Sequence, residues 1–158
     1  CGFAGYFTAG SLSEAAHQAA VSKMIGPILR RGPDDSGIWA EPQAGVALGF
    51  RRLAIIDLSA HGHQPMRSAS GRFTMVFNGE VYNFAELRRE LEAKGASFRG
   101  HSDSEVMLAA FEAWGVERSV PRFVGMFAVA VWDAQERVLH LMRDRFGKKP
   151  LYVYAEPG

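Results

Sequence analysis

Apolar residues in this chain fall mainly in short runs, separated by segments rich in Gly, Pro, Asn and Ser, with helical spacing in between. Residues 3–8 predict a short, buried strand. Ser11-Leu12-Ser13-Glu14 has capping-box spacing, and helical periodicity continues to residue 29, interrupted by Gly26-Pro27 near its end. Turn residues make 30–37 a loop. The apolar runs 38–40 and 45–50 lie on either side of a Pro-Gln-Ala-Gly connection and predict a hairpin. Residues 51–70 are strand-poor and rich in His, Pro and Ser, a long loop of the kind that usually has a function. Residues 73–77 form a compact strand running into Asn78-Gly79-Glu80. Asn83 with Glu86 and Ser102 with Glu105 repeat the helix-start pattern, for helices that Gly95 and Gly115 can end. A second hairpin joins 127–132 to 138–142, and 151–154 predicts a last strand. Strands grouped as neighbouring hairpins, with helices between the groups, favour an α+β sandwich built on antiparallel sheets.

Composition narrows the class. At 158 residues the chain fits one domain with its own core, and 47% hydrophobic with 22% charged residues is ordinary for a globular protein. A formal net charge of +1 and the lack of a basic run argue against a nucleic-acid surface. No apolar stretch is long enough to span a membrane, and no signal-peptide pattern is present. A single cysteine excludes an internal disulfide framework and fits a reducing, cytoplasmic setting.

That cysteine is the first residue. A terminal cysteine carries a nucleophilic thiol (reference pKa about 8.5) and a free α-amine (about 7.7–8.0) on one residue. Together they supply nucleophile and base without a histidine. An exposed Cys1 on that reading requires removal of an initiator Met. The competing reading is a chain that begins on a cysteine by chance. Other residues fit the same chemistry: a site for free glutamine needs a cation for its carboxylate, an anion for its ammonium and donors for a tetrahedral oxyanion. Arg52 offers a planar fork, Asp103 an anion, and Asn78-Gly79 a side-chain amide and a closely approaching backbone N–H. Each also has a structural reading. Arg52 alone reads as a surface charge, Asn78-Gly79 as a hairpin turn, and Asp103 as a helix-start acid. A His61-x-His63 pair has zinc-like spacing but no accompanying ligands, and His140 lies in an apolar strand pattern that favours packing.

The ordered set of motifs resembles the glutaminase domain of the asparagine synthetase family, class II glutamine amidotransferases of the N-terminal-nucleophile hydrolases. The matching stretches are Cys1-Gly2-Phe3-Ala4-Gly5, Arg31-Gly32-Pro33-Asp34-Asp35-Ser36-Gly37 and Arg52-Leu53-Ala54-Ile55-Ile56-Asp57-Leu58-Ser59. They continue with Gly62-His63-Gln64-Pro65-Met66, Phe77-Asn78-Gly79-Glu80-Val81-Tyr82-Asn83, Ser102-Asp103-Ser104-Glu105 and Gly125-Met126-Phe127-Ala128. The last is Arg143-Asp144-Arg145-Phe146-Gly147-Lys148-Lys149-Pro150-Leu151-Tyr152.

The resemblance implies a four-layer αββα sandwich of two mainly antiparallel sheets, with residues 1–158 as the type 2 glutamine amidotransferase domain. It implies Cys1 as nucleophile with its α-amine as base, and Asn78 with Gly79 as the oxyanion hole. Arg52 would hold the substrate carboxylate and Asp103 its ammonium, with Leu53, Ile55, Ile56 and Glu80 completing the pocket. Arg52 rather than Arg51 matches, because the family's arginine immediately precedes the leucine. The half-reaction needs no metal or organic cofactor. ATP and Mg2+ belong to a following synthetase domain, absent here, which would be the partner on the same chain. L-glutamine is the expected substrate, and a second copy in a homodimer is a further expected partner. The alternatives are a non-catalytic glutamine-binding module and another N-terminal-nucleophile amidase; paired Arg52 and Asp103 weigh against the latter.

Overall fold

The structure is a computed structural model that describes residues 1–10, 12–54 and 62–156. Its strands are β1 (Gly2–Phe7), β2 (Asp35–Glu41), β3 (Val46–Arg52), β4 (Met66–Arg67), β5 (Phe73–Val81), β6 (Gly125–Asp133) and β7 (Val138–Arg143). The helices are α1 (Glu14–Ile25), α2 (Phe84–Ala93), α3 (Asp103–Trp114) and the short α4 (Val116–Ser119). Two antiparallel sheets result, in the orders β1-β3-β2 and β4-β5-β6-β7.

Alternation along the strands builds the layers, because successive side chains point to opposite faces of a sheet. In β3, Leu48 and Phe50 pack with Val76 and Ala130 of the facing sheet, while Ala47 packs with Val21 and Ile25 of α1. In β5 and β6, Phe73, Met75, Phe77, Phe127, Val129 and Val131 turn the other way. They join Leu87 and Leu91 of α2 and Val106, Met107 and Phe111 of α3. The layer order is therefore helix, sheet, sheet, helices, the predicted αββα sandwich. Among the described residues, no helix is long and apolar enough to cross a membrane.

Several local expectations are corrected. The first helix is capped by Ser13, whose hydroxyl accepts from Ala16 N–H at 3.2 Å, and it ends at Ile25 before Gly26-Pro27. The expected 30–37 loop gives way at Asp35, where β2 pairs with Arg52 and so begins before its apolar run. Asn83 does not cap α2 with its side chain. Its amide instead bridges Arg122 C=O and Val124 N–H, fixing the entry to β6. Asn78-Gly79 is not a turn: β5 runs through it to Val81, paired with β6 throughout. Residues 151–154 form no strand. An apolar run becomes a strand only beside a partner edge, and here it borders the cleft between β1 and β7 with Tyr152 92% exposed.

Candidate active site

Cys1 sits at the end of β1, where its neighbours come from two loops. Its α-ammonium donates to Arg31 C=O at 2.7 Å, and Arg31 Nε donates to Cys1 C=O at 3.2 Å. Leu53 N–H donates to Cys1 Sγ at 3.3 Å, and Leu53 C=O lies 3.5 Å from the same sulfur. Asp34 fastens these loops together: its N–H donates to Arg52 C=O at 3.0 Å and its carboxylate accepts from Ala54 N–H at 2.9 Å. Burial lowers the pKa of the α-amine below 8.0. The Arg31 and Lys149 cations lower it further, against an opposing pull from Asp34. The amine is thus more fully a free base near neutrality than an ordinary N-terminus.

Cys1 opens onto a pocket of about 130 Å³ that Arg52, Leu53, Gly79, Glu80 and Asp103 also line. Strand alternation decides between the two arginines of β3. Arg51 falls on the α1 face, and its Nε donates to Ile25 C=O at 3.4 Å. Arg52, on the face of Phe50, is 9% exposed and turns into the pocket. Its guanidinium packs on Gly62, where a Cβ would lie 2.1 Å from Nη2. Asp103 opens α3 behind the Ser102 cap, and its carboxylate accepts from Val81 N–H at 2.9 Å. Burial raises its pKa and the Glu80 charge adds to this, although backbone N–H donors oppose them. A bound cation would offset this cost by favouring the ionised form.

The free edge of β5 explains Gly79. In an antiparallel ladder, alternate residues turn their main-chain groups toward the same neighbour. Phe73, Met75, Phe77, Gly79 and Val81 turn theirs away from β6. Phe73 exchanges hydrogen bonds with Ser68, and Met75 pairs with Met66 of β4. Beyond that, β4 has ended. Phe77 N–H donates to Gln64 Oε1 at 2.6 Å, and Val81 N–H to Asp103. Gly79, between them, is left with no partner among the described residues on this side, and its N–H faces the pocket. A Cβ at this position would lie 2.1 Å from Met126 O, so β6 admits only a glycine here. Asn78 points to the face of β5 that carries Val76, against which Cys1 also packs, and borders the adjoining cleft beside Gly2 and Phe3. Its side chain is 9% exposed, and its amide makes no hydrogen bond among the described residues.

The structure thus gathers Cys1, Arg52, Leu53, Gly79, Glu80 and Asp103 at one pocket, with Asn78 next along the strand. Ile55, Ile56 and His61 lie outside the described residues. His63 binds Asp35 at 2.7 Å, and no group of three or more metal-ligating side chains occurs among the described residues. Sequence reasoning assigned no role to Arg31, Asp34, Gln64 or Asp144. All four stand in the family-like stretches, but the signal named the stretch and not the task. With a nucleophile and an amine on one residue, a cation, an anion and an N–H turned into the pocket, the site can bind a small zwitterion and attack an acyl group.

The sequence matches, over residues 1–158, the family described as glutamine amidotransferase domain. It is 42% identical over 153 residues to the glutamine-hydrolyzing asparagine synthetase 1 of Bacillus subtilis, covering 96% of this chain and 24% of that protein. It is 40% identical over 138 residues to the glutamine-hydrolyzing asparagine synthetase 3 of the same organism, covering 86% and 22%. The chain therefore spans about a quarter of the length of the curated relatives it matches. Among solved structures, it is similar to the glutamine phosphoribosylpyrophosphate amidotransferase from Bacillus subtilis complexed with ADP and GMP. That likeness has a TM-score of 0.49 and 24% identity, and covers 57% of this chain and 21% of that one.

Proposed function

The chain belongs to the glutamine amidotransferase domain family, and from this we propose that it hydrolyses L-glutamine to glutamate and ammonia through Cys1. One observation carries the reading: the Cys1 thiol and α-amine open onto a pocket whose walls hold Arg52, Asp103 and the Gly79 N–H, which has no partner among the described residues. Arg52 takes the substrate α-carboxylate and Asp103 its α-ammonium, which leaves the side-chain amide to reach Sγ. The α-amine, through a water, accepts the thiol proton. The sulfur then adds to Cδ, and the oxyanion is held by Gly79 N–H and the Asn78 amide. The C–N bond breaks as the nitrogen takes the proton back from the α-ammonium, and ammonia leaves. Water, deprotonated by the same amine, attacks the γ-glutamyl thioester. A second oxyanion then collapses to glutamate and the free thiol.

No metal or organic cofactor enters these steps. The length of the relatives supports a further domain on the same chain, in which ATP and Mg2+ would activate a carboxylate, aspartate by default, to receive the ammonia. The single reduced cysteine suits work in the cytoplasm.

The test is covalent. A glutamine analogue with a diazoketone in place of its amide is expected to add to Cys1, placing the mass increase on the N-terminal peptide. Excess glutamine should protect, and the untreated protein should release glutamate. Labelling elsewhere, or no glutamate release, would overturn the reading.

The two anchors should act on binding. Arg52→Met or Asp103→Asn each removes a charged partner, worth about 2–3 kcal/mol, so KM should rise roughly 30- to 150-fold with a smaller change in kcat. The Asp103 effect carries a pH signature. Because burial raises its pKa, wild-type KM should climb as the pH falls through that pKa and the ammonium loses its anion. Steady-state KM against pH should show this limb in the wild type and lose it in Asp103→Asn.

A further inference from the structure

Asp144 lies outside the pocket, yet no other carboxylate among the described residues collects so many main-chain donors. It is 4% exposed, and accepts from Phe146 N–H and Lys148 N–H on Oδ1 at 3.1 and 2.9 Å. On Oδ2 it accepts from Phe127 N–H and Lys149 N–H, both at 3.1 Å, while its own N–H donates to Phe127 C=O at 2.8 Å. Burial works against its charge, but these four donors outweigh it and hold the pKa down to about 2. The contacts lead in two directions. Phe127 is the β6 residue paired with Gly79, whose backbone rests on it so closely that a Cβ would lie 2.6 Å from Phe127 Cα. The 145–149 turn, wound around the carboxylate, ends at half-buried Lys149, and the next residue, Pro150, lines one cleft with Gly2 and Arg31, the neighbours of Cys1; from there the Lys149 cation, like Arg31 and against Asp34, lowers the pKa of the α-amine.

We propose that Asp144 is a positioning residue for both halves of the site: through Phe127 it seats the Gly79 N–H, and through the 145–149 turn it holds Lys149 at the cleft that Pro150, Gly2 and Arg31 line next to Cys1. The inference rests on the glutaminase reading for its meaning, but not for its measurement. The chain has one cysteine, so incorporation of 13C-labelled cysteine gives a single residue's signals, and the Cα shift against pH reports the amine without turnover.

Lys149→Met removes a cation from the amine, and Asp144→Asn releases the turn that carries it. Both should therefore move the amine midpoint upward, and Lys149→Arg should restore it. In the same proteins Asp144→Asn should lower kcat by on the order of 10- to 100-fold, with a lesser effect on KM, as misplacement of a donor does. Lys149→Met alters only the tip of the turn and keeps the test open should Asp144→Asn fail to fold. A wild-type midpoint in folded Lys149→Met, or an Asp144→Asn protein that loses thermal stability while its midpoint and kcat stay in place, would reduce Asp144 to a structural staple. Absence of glutamate release by the wild type would sink the glutaminase reading alone, since the titration would still report on the turn.

Discussion

Cys1→Ala is expected to lower glutamate release by on the order of 10⁴-fold or more, to the limit of detection. On the proposed mechanism it removes the atom that forms the thioester, and the chain has no second cysteine to substitute. The α-amine, Arg52 and Asp103 remain, so the variant should still bind glutamine and show a substrate-dependent rise in Tm. That separation of binding from turnover is the informative result. Residual turnover near the wild-type rate would remove Cys1 from the mechanism, whatever its position at the pocket mouth. Cys1→Ser is a finer probe. It keeps an amine and a heavy atom at the position of Sγ, and its loss of rate would measure what sulfur contributes beyond occupying the space between the two Leu53 main-chain groups.

The second large effect is expected at Asn78. Loss of one oxyanion donor typically costs on the order of 10²–10³ in kcat, about 2.7–4 kcal/mol. Asn78→Ala should fall in that range with little change in KM, because in the proposed mechanism the amide is used when charge develops and not when the zwitterion is seated. Stability should barely move, since the amide has no hydrogen-bond partner among the described residues to leave behind. Asn78→Asp should be the more damaging of the two, because a carboxylate cannot donate and would repel the oxyanion. Steady-state kinetics and thermal unfolding on the same preparations separate these effects. A KM increase with unchanged kcat would move Asn78 from the transition state to substrate binding.

An antiparallel α+β sandwich was legible because the apolar runs group as neighbouring hairpins with helices between them, while its four-layer order came from the resemblance and not from the pattern. Resemblance likewise selects Arg52 over Arg51, and the structure supplies the physical reason: one residue along β3 exchanges the pocket for the carbonyl of Ile25. The helix start at Ser102 was visible as local chemistry, and the capping-box run at 11–14 marked the first start, although the cap falls on Ser13 within it. What the sequence could not convey depends on where a neighbour stops. Gly79 is an available donor only because β4 ends at Arg67 and the Gln64 and Asp103 side chains satisfy the positions on either side. No local pattern encodes that coincidence of three segments. The missed strand at 151–154 has the same origin, since an apolar run carries no information about whether a partner edge is within reach. Asp144 sat in an acknowledged motif, but its task lies in hydrogen bonds to residues on both sides of it.

The open N–H on β5 has a consequence for how this protein should be judged once purified. Its aim is set by the pairing of Gly79 with Phe127, and a one-residue slip would turn each side chain of the strand to the other face and each main-chain group to the other edge. A slipped molecule would keep nearly all its secondary structure while offering the substrate oxygen no donor. Turnover per molecule therefore assays strand registry, and the fraction of a preparation that is active can fall well below the fraction that is folded by circular dichroism.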